Sequence, residues 1–172
     1  MQSPDLTPDV TDMETRSLLS LYRGILRELK SRGVIRTENA PTGDYAEYLV
    51  ARGLGGVLAM NSKKSWDVQL PDGDRIQVKA RVVSDPPRAG QRQLSPFRSF
   101  EFDATVVVLL RDIDFEVLRA VILPRAVVES SSVYRSHVNG YVMFATQDIL
   151  DHPLAVDLTD RLRDAAAGRS AE

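Results

Sequence analysis

Ser65-Trp66-Asp67-Val68-Gln69-Leu70, then Pro71-Asp72-Gly73-Asp74, then Arg75-Ile76-Gln77-Val78-Lys79-Ala80-Arg81 reads as two amphipathic strands joined by a tight turn. Both runs alternate, as strands with two different faces do. Trp66, Val68 and Leu70 point one way, and Asp67 and Gln69 the other. In the second run Ile76, Val78, Ala80 and Val82 share a face, opposite Arg75, Gln77, Lys79 and Arg81. Pro71-Asp72-Gly73 suits a three-residue hairpin loop, a type I turn with Gly73 in the left-handed position. That loop pairs Leu70 with Asp74, and hence Asp67 with Gln77. Asp67, Gln77 and Lys79 then cluster on one face. A carboxylate, a neutral oxygen donor and an ammonium together suit a hard metal ion and a phosphate.

Asp67 followed ten residues later by Gln77-Val78-Lys79 resembles the signature of the PD-(D/E)xK restriction-endonuclease-like nucleases. In that family an Asp on one strand and an acidic-x-Lys on the next form the active site. Gln77 takes the acidic place here, a departure that is similar to the Gln-x-Lys of the Mrr-type restriction endonucleases. Trp66 stands where the family often has Pro. The family also places a helix before the hairpin, with a Glu near its start. Gly43 to Ala51 fits that helix and Glu47 that acid, with Val57 to Met60 as a short first strand. The resemblance covers roughly residues 43 to 123. Asp44-x-x-Glu47 also reads as a capping box at a helix N-terminus, and Lys79 and Arg81 as the solvated face of a half-buried strand.

The fold class that follows is α/β, with a restriction-endonuclease-like core: a mixed central β-sheet flanked by helices, preceded by an N-terminal amphipathic helix. The resemblance implies Mg²⁺, with Mn²⁺ as substitute, bound by Asp67, Glu47, Gln77 and the Val78 carbonyl. Lys79 would position the attacking water or stabilise the charge that develops at phosphorus. Arg81, Arg88, Arg92 and Arg98 are the expected phosphate contacts of a DNA partner. Loss of one negative charge at Gln77 leaves a second class open: a nuclease-fold protein that binds nucleic acid or a partner protein without cutting. A purely structural or regulatory subunit, with the N-terminal helix as interface, and a homodimer are open as well.

Composition bounds these readings. At 172 residues, 43% hydrophobic and 27% charged, the chain suits one globular domain of ordinary size. No apolar run approaches the roughly 20 residues a spanning helix needs, so no membrane role is expected, and no signal segment is read at the start. The absence of cysteine excludes disulfides and thiolate chemistry and fits a reducing cytoplasm. With only His137 and His152, histidine-based metal sites and triads are poorly supplied. No Walker loop, Gly-rich dinucleotide motif or zinc spacing is present, so no nucleotide cofactor is expected. The net charge of −2 is not that of a typical DNA binder. Its distribution matters more: residues 63 to 98 carry eight basic and four acidic side chains, a local +4 around the hairpin.

Along the chain, residues 1–10 read as a flexible tail, 11–158 as a single domain, and 159–172 as a short C-terminal helix and tail. A helix is expected from Asp12 to Arg32, with Leu18, Tyr22, Ile25 and Leu29 at helical spacing and Gly33 as its stop. Its Arg16, Arg23, Arg27 and Lys30 suit a solvated face, with DNA contact as the other reading. The second helix should end near Arg52-Gly53. Ser84 to Ser99 is a long loop of the kind that often carries function. Ala104 to Leu110 has the continuous apolar character of a strand buried on both faces. Phe115 to Leu123 returns as a strand, Pro124 to Ser130 is a short helix, and Tyr141 to Ala145 a last strand. Gln147 to Leu150 forms a helical turn.

Overall fold

In a computed structural model, residues 8–37, 39–60 and 65–169 are described. Lys63, Lys64 and most of the expected N-terminal tail lie outside them. The chain clusters into two compact units, 1–41 and 42–172.

The first unit contains helix α1, Thr15–Ser31. It starts three residues later than the periodicity suggests, because Thr11 turns back on the Asp9 carboxylate through its amide and hydroxyl. The expected stop holds. Gly33 takes φ +71°, and the amides of Arg32, Gly33 and Val34 bond back to the carbonyls of Glu28, Lys30 and Leu29. Leu26 is buried, whereas Tyr22 and Ile25 of the stripe, and Leu19 beside it, are exposed.

The second unit is mixed α/β. Its elements are α2 (Thr42–Leu54), β1 (Val57–Leu58), β2 (Val68–Gln69), β3 (Arg75–Val83), β4 (Ala104–Arg111), β5 (Val117–Pro124), α3 (Arg125–Ser131), β6 (Val133–Arg135), β7 (Gly140–Val142), α4 (Gln147–Leu150), β8 (Val156–Asp157) and α5 (Thr159–Ala166). A six-stranded sheet runs in the order β1-β2-β3-β4-β5-β8. Every described pair in it is antiparallel except β3 with β4. A parallel pair needs a long crossover. Residues 84–103 supply it with one 3-10 turn, Ala89–Gln91, rather than an α-helix.

The hairpin register is the expected one. Val68 faces Ile76 and Gln69 faces Arg75, and the Leu70 amide closes the turn on the Asp74 carbonyl at 2.9 Å. Gly73 has φ +98°, the left-handed position that this turn requires. Strand alternation then sorts two cores. Ile76, Val78, Val106, Val108 and Ala120 pack with Ala46, Leu49 and Val50 of α2 and with Leu162 and Ala165 of α5. Val83, Val107, Leu109, Val121 and Leu123 pack with Leu94, Phe97, Phe102, Val127, Val128 and Met143 on the opposite face. Strand β4 lies between β3 and β5 with six consecutive buried residues, which accounts for its unbroken apolar sequence.

Three expectations need correction. Helix α2 runs through Arg52-Gly53 to Leu54, and Gly55, at φ +65°, ends it. Gly53 is there for packing: a Cβ on it would stand 2.7 Å from Leu162 Cδ2. Helix α5 therefore belongs to the core rather than to an appendage beyond residue 158. The Tyr141 strand is not the last, since β8 follows it. It also leaves the central sheet, pairing instead with β6. Strands β6 and β8 are short and largely exposed, so they carry little alternation to read.

Leu162→Ala should lower stability by about 2–5 kcal/mol, whereas Leu154→Ala, at 58% exposure, should change it by under about 0.5 kcal/mol. Urea denaturation checks both. Equal midpoints would mean that α5 is not part of the core.

Candidate active site

Strand β3 is nine residues long, but β2 covers only Arg75 and Ile76. Beyond them, the edge of β3 facing β2 opens into a cleft. In an extended strand the N–H and C=O of one residue point to the same edge. Ile76 pairs with β2, so Val78 presents its N–H and C=O on that side, just past the end of the ladder. The Val78 amide donates to Asp67 Oδ2 at 2.7 Å. The same oxygen accepts from Gln77 Nε2 at 2.5 Å. Asp67 is itself held by its backbone, its amide donating to the Ile76 carbonyl and its carbonyl accepting from Ala59, both at 2.8 Å. A carboxylate has thus replaced a strand at the point where the sheet splits.

The cleft has a volume of about 560 Å³. Glu47, Asp67, Gln77, Val78, Lys79 and Arg81 all line it. The expected convergence is therefore met, and Asp67 reaches the face of β3 that carries Gln77 and Lys79. Glu47 comes from α2, on the other face, and reaches the cleft because the sheet edge is open there. Thr42 and Gly43, which open α2, form part of the wall. The first amides of a helix lack intrahelical partners and favour anions.

Lys79 is half-buried. Its Nζ donates to Ser95 Oγ and to the Pro96 carbonyl, each at 3.2 Å, and lies 4.8 Å from the centre of the Phe97 ring. Desolvation holds the ammonium below its usual range. The Asp67 charge pushes it back up, Arg98 pulls it down, and Glu47 pushes it up. The anchors Ser95, Pro96 and Phe97 escaped the sequence reading. Their contacts cross the crossover loop, and no periodicity links them to Lys79.

Arg88, Arg92 and Arg98 do not line the cleft, although the Arg98 charge acts on Lys79. Arg98 donates to the carbonyls of Val138 and Asn139, the latter at 2.6 Å, and so ties the loop to the β6–β7 turn. Arg92 donates to the Ala145 carbonyl at 3.3 Å and lines a separate hollow with Phe144. Arg88 is exposed. Arg81 lines the cleft while its Nε reaches the Gln91 carbonyl at 3.4 Å. Loop closure thus employs Arg92 and Arg98 directly, and Arg81 remains the loop-side cation best placed for a ligand in the cleft.

Among the described residues, no group of three or more His, Cys, Asp or Glu side chains could hold a metal ion. The available set is two carboxylates, Asp67 and Glu47, with the Val78 carbonyl and the Gln77 amide. That set suits a hard cation that keeps much of its water, since one or two carboxylates suffice for Mg²⁺. To ligate through oxygen, Gln77 must turn its amide from the orientation that donates to Asp67. Among the described residues, no helix is long and apolar enough to cross a membrane.

No protein-family model matches the chain, and no curated protein matches it either.

Asp67→Ala should speed hydrogen exchange at the Val78 amide by about ten- to a hundredfold, the equivalent of a charge-assisted hydrogen bond. The Val107 amide in the middle of β4 should be unaffected. Unchanged Val78 protection, read by two-dimensional NMR, would show that the carboxylate does not cap the strand edge.

Proposed function

We propose that the protein is a metal-dependent nuclease of the PD-(D/E)xK restriction-endonuclease-like class that hydrolyses DNA phosphodiester bonds. The observation that carries this reading is the convergence of Asp67, Glu47, Gln77 and Lys79 at the open edge of β3. A scattered set would not support it. The order of helix, three strands, a connection and further strands is the one that the resemblance implies.

Each residue then has a role that its position allows. Asp67 and Glu47, with the Val78 carbonyl, would hold Mg²⁺. When bound, that ion supplies charge neutralisation at the phosphate and acidifies a water. Gln77 orients a water or offers its amide oxygen. Lys79 meets the negative charge that grows on the phosphoryl oxygens as water attacks phosphorus and the ester oxygen leaves. Arg81 and the first turn of α2 favour approach of the phosphate. Low local dielectric around the half-buried Lys79 makes its charge count for more than it would in bulk water.

One observation favours a second reading, in which the cleft binds nucleic acid without cutting it. The Asp67 carboxylate already has two protein donors, Gln77 Nε2 and the Val78 amide. An acid at position 77 would repel Asp67 and call for a cation between them, whereas the uncharged Gln77 amide donates to the carboxylate and needs none.

Plasmid cleavage with Mg²⁺ or Mn²⁺ separates the readings. Wild-type protein should nick or cut, and Lys79→Ala should bind DNA with similar affinity while losing at least about a hundredfold in cleavage. Gln77→Glu should tighten Mn²⁺ in calorimetry, and Asp67→Ala should abolish it. Wild-type rates from a folded Lys79→Ala protein would defeat the mechanism. DNA binding without cleavage in either metal would select the second reading.

A further inference from the structure

Lys79 carries a flexible four-carbon stem, and left to solvent its ammonium would sample many positions. Two acceptors and an aromatic face hold it here, and all three come from consecutive residues, Ser95, Pro96 and Phe97. The segment that bears them is itself clamped. The Leu94 amide bonds to Met143 at 3.0 Å, and Phe97 and Tyr141 exchange both backbone bonds at 2.9 Å. The Ala145 amide returns to Arg92 at 2.8 Å. Leu94 and Phe97 are each 1% exposed, so Ser95 and Pro96 stand between two buried pegs.

Gly140, in β7, is what lets this segment come down. A Cβ there would stand 2.9 Å from the Phe97 carbonyl oxygen and 2.9 Å from Pro96 Cβ, closer than packed atoms tolerate. The backbone on both sides is tied by the hydrogen bonds just described, so the loop would have to lift.

We infer that Ser95 and the Pro96 carbonyl are positioning residues for Lys79, and that Gly140 sets their height above the cleft. The inference deepens the nuclease reading and rests on it for its catalytic consequence. An ammonium has three N–H donors. Ser95 and Pro96 occupy two, and the third is left for a phosphoryl oxygen in the cleft. The loop between β3 and β4 thus aims the lysine that β3 supplies, although the segment carries no acid, base or nucleophile of its own that the chemistry uses.

The test has one arm that needs neither metal nor DNA. The chain has four lysines, Lys30, Lys63, Lys64 and Lys79, so their ammonium groups can be followed individually by ¹H–¹⁵N correlation NMR, with Lys79→Arg giving the assignment. A slowly exchanging ammonium signal from Lys79 is expected in the wild type, lost in Ser95→Ala and restored in Ser95→Thr. Gly140→Ala, which does not touch the cleft, should weaken it too. A Lys79 signal that survives unchanged in both Ser95→Ala and Gly140→Ala overturns the inference, whatever the cleavage result.

The second arm is steady-state plasmid cleavage with Mn²⁺. Ser95→Ala should lower kcat about tenfold with KM nearly unchanged, and Ser95→Thr should recover it. Loss of the ammonium signal with an unchanged kcat overturns the catalytic consequence of positioning. Absence of cleavage by the wild type, with the ammonium pattern as expected, instead overturns the nuclease reading and leaves the anchoring in place.

Discussion

The bond from the Val78 amide to the Asp67 carboxylate is where sheet and site meet. Strand β2 ends after two paired residues, and β3 continues for seven more with its near edge open. An exposed row of strand N–H and C=O groups invites unwanted pairing, and a buried one without partners is costly. Asp67 resolves the first such position with a charge, and the carboxylate is thereby fixed at the mouth of a cleft. Glu47 can enter the same space from the other face only because no strand closes that edge. Had β2 run the length of β3, Asp67, Gln77 and Lys79 would line a covered hairpin with no room for a ligand.

The electrostatics of the cleft depend on the same split. Gln77 adds no charge beside Asp67, so two carboxylates face two cations, Lys79 and Arg81, along its wall. An acidic residue at position 77 would add a third negative charge beside Asp67 and Glu47 and favour a cation between them. The glutamine instead gives a site that is internally satisfied before any ligand arrives. A metal must compete with the Gln77 amide for Asp67, which sets an expectation of weak binding and of dependence on the phosphate that arrives with it.

Much of the site was readable because it lies on one hairpin. Alternation placed Gln77 and Lys79 on one face, and Pro71-Asp72-Gly73 fixed the register that sets Asp67 beside them. Glu47 came only from the resemblance, which puts an acid near the start of the helix before the hairpin. Strand β4 announced itself by an apolar run without polar interruption. Non-local geometry escaped. Ser95 and Pro96 stand sixteen and seventeen positions after Lys79 in sequence, and the fit of Gly140 under Pro96 and Phe97 has no sequence period at all. Gly53 looked like a helix stop, yet it is a contact with Leu162, because glycine serves both purposes and only tertiary packing separates them. Arg92 and Arg98 looked like phosphate ligands by charge, and the structure gives them backbone carbonyls to hold.

Paramagnetic relaxation by Mn²⁺ tests most directly whether the split edge of β3 is a cation site. Titrated into ¹⁵N-labelled protein at substoichiometric Mn²⁺, the amide signals of Asp67, Gln77, Val78 and Glu47 should broaden first and recover when excess Mg²⁺ is added. Those of β5 and α3, beyond β4 and away from the open edge of β3, should stay sharp. Broadening centred on any other cluster, or spread evenly over the acidic surface, would contradict the account.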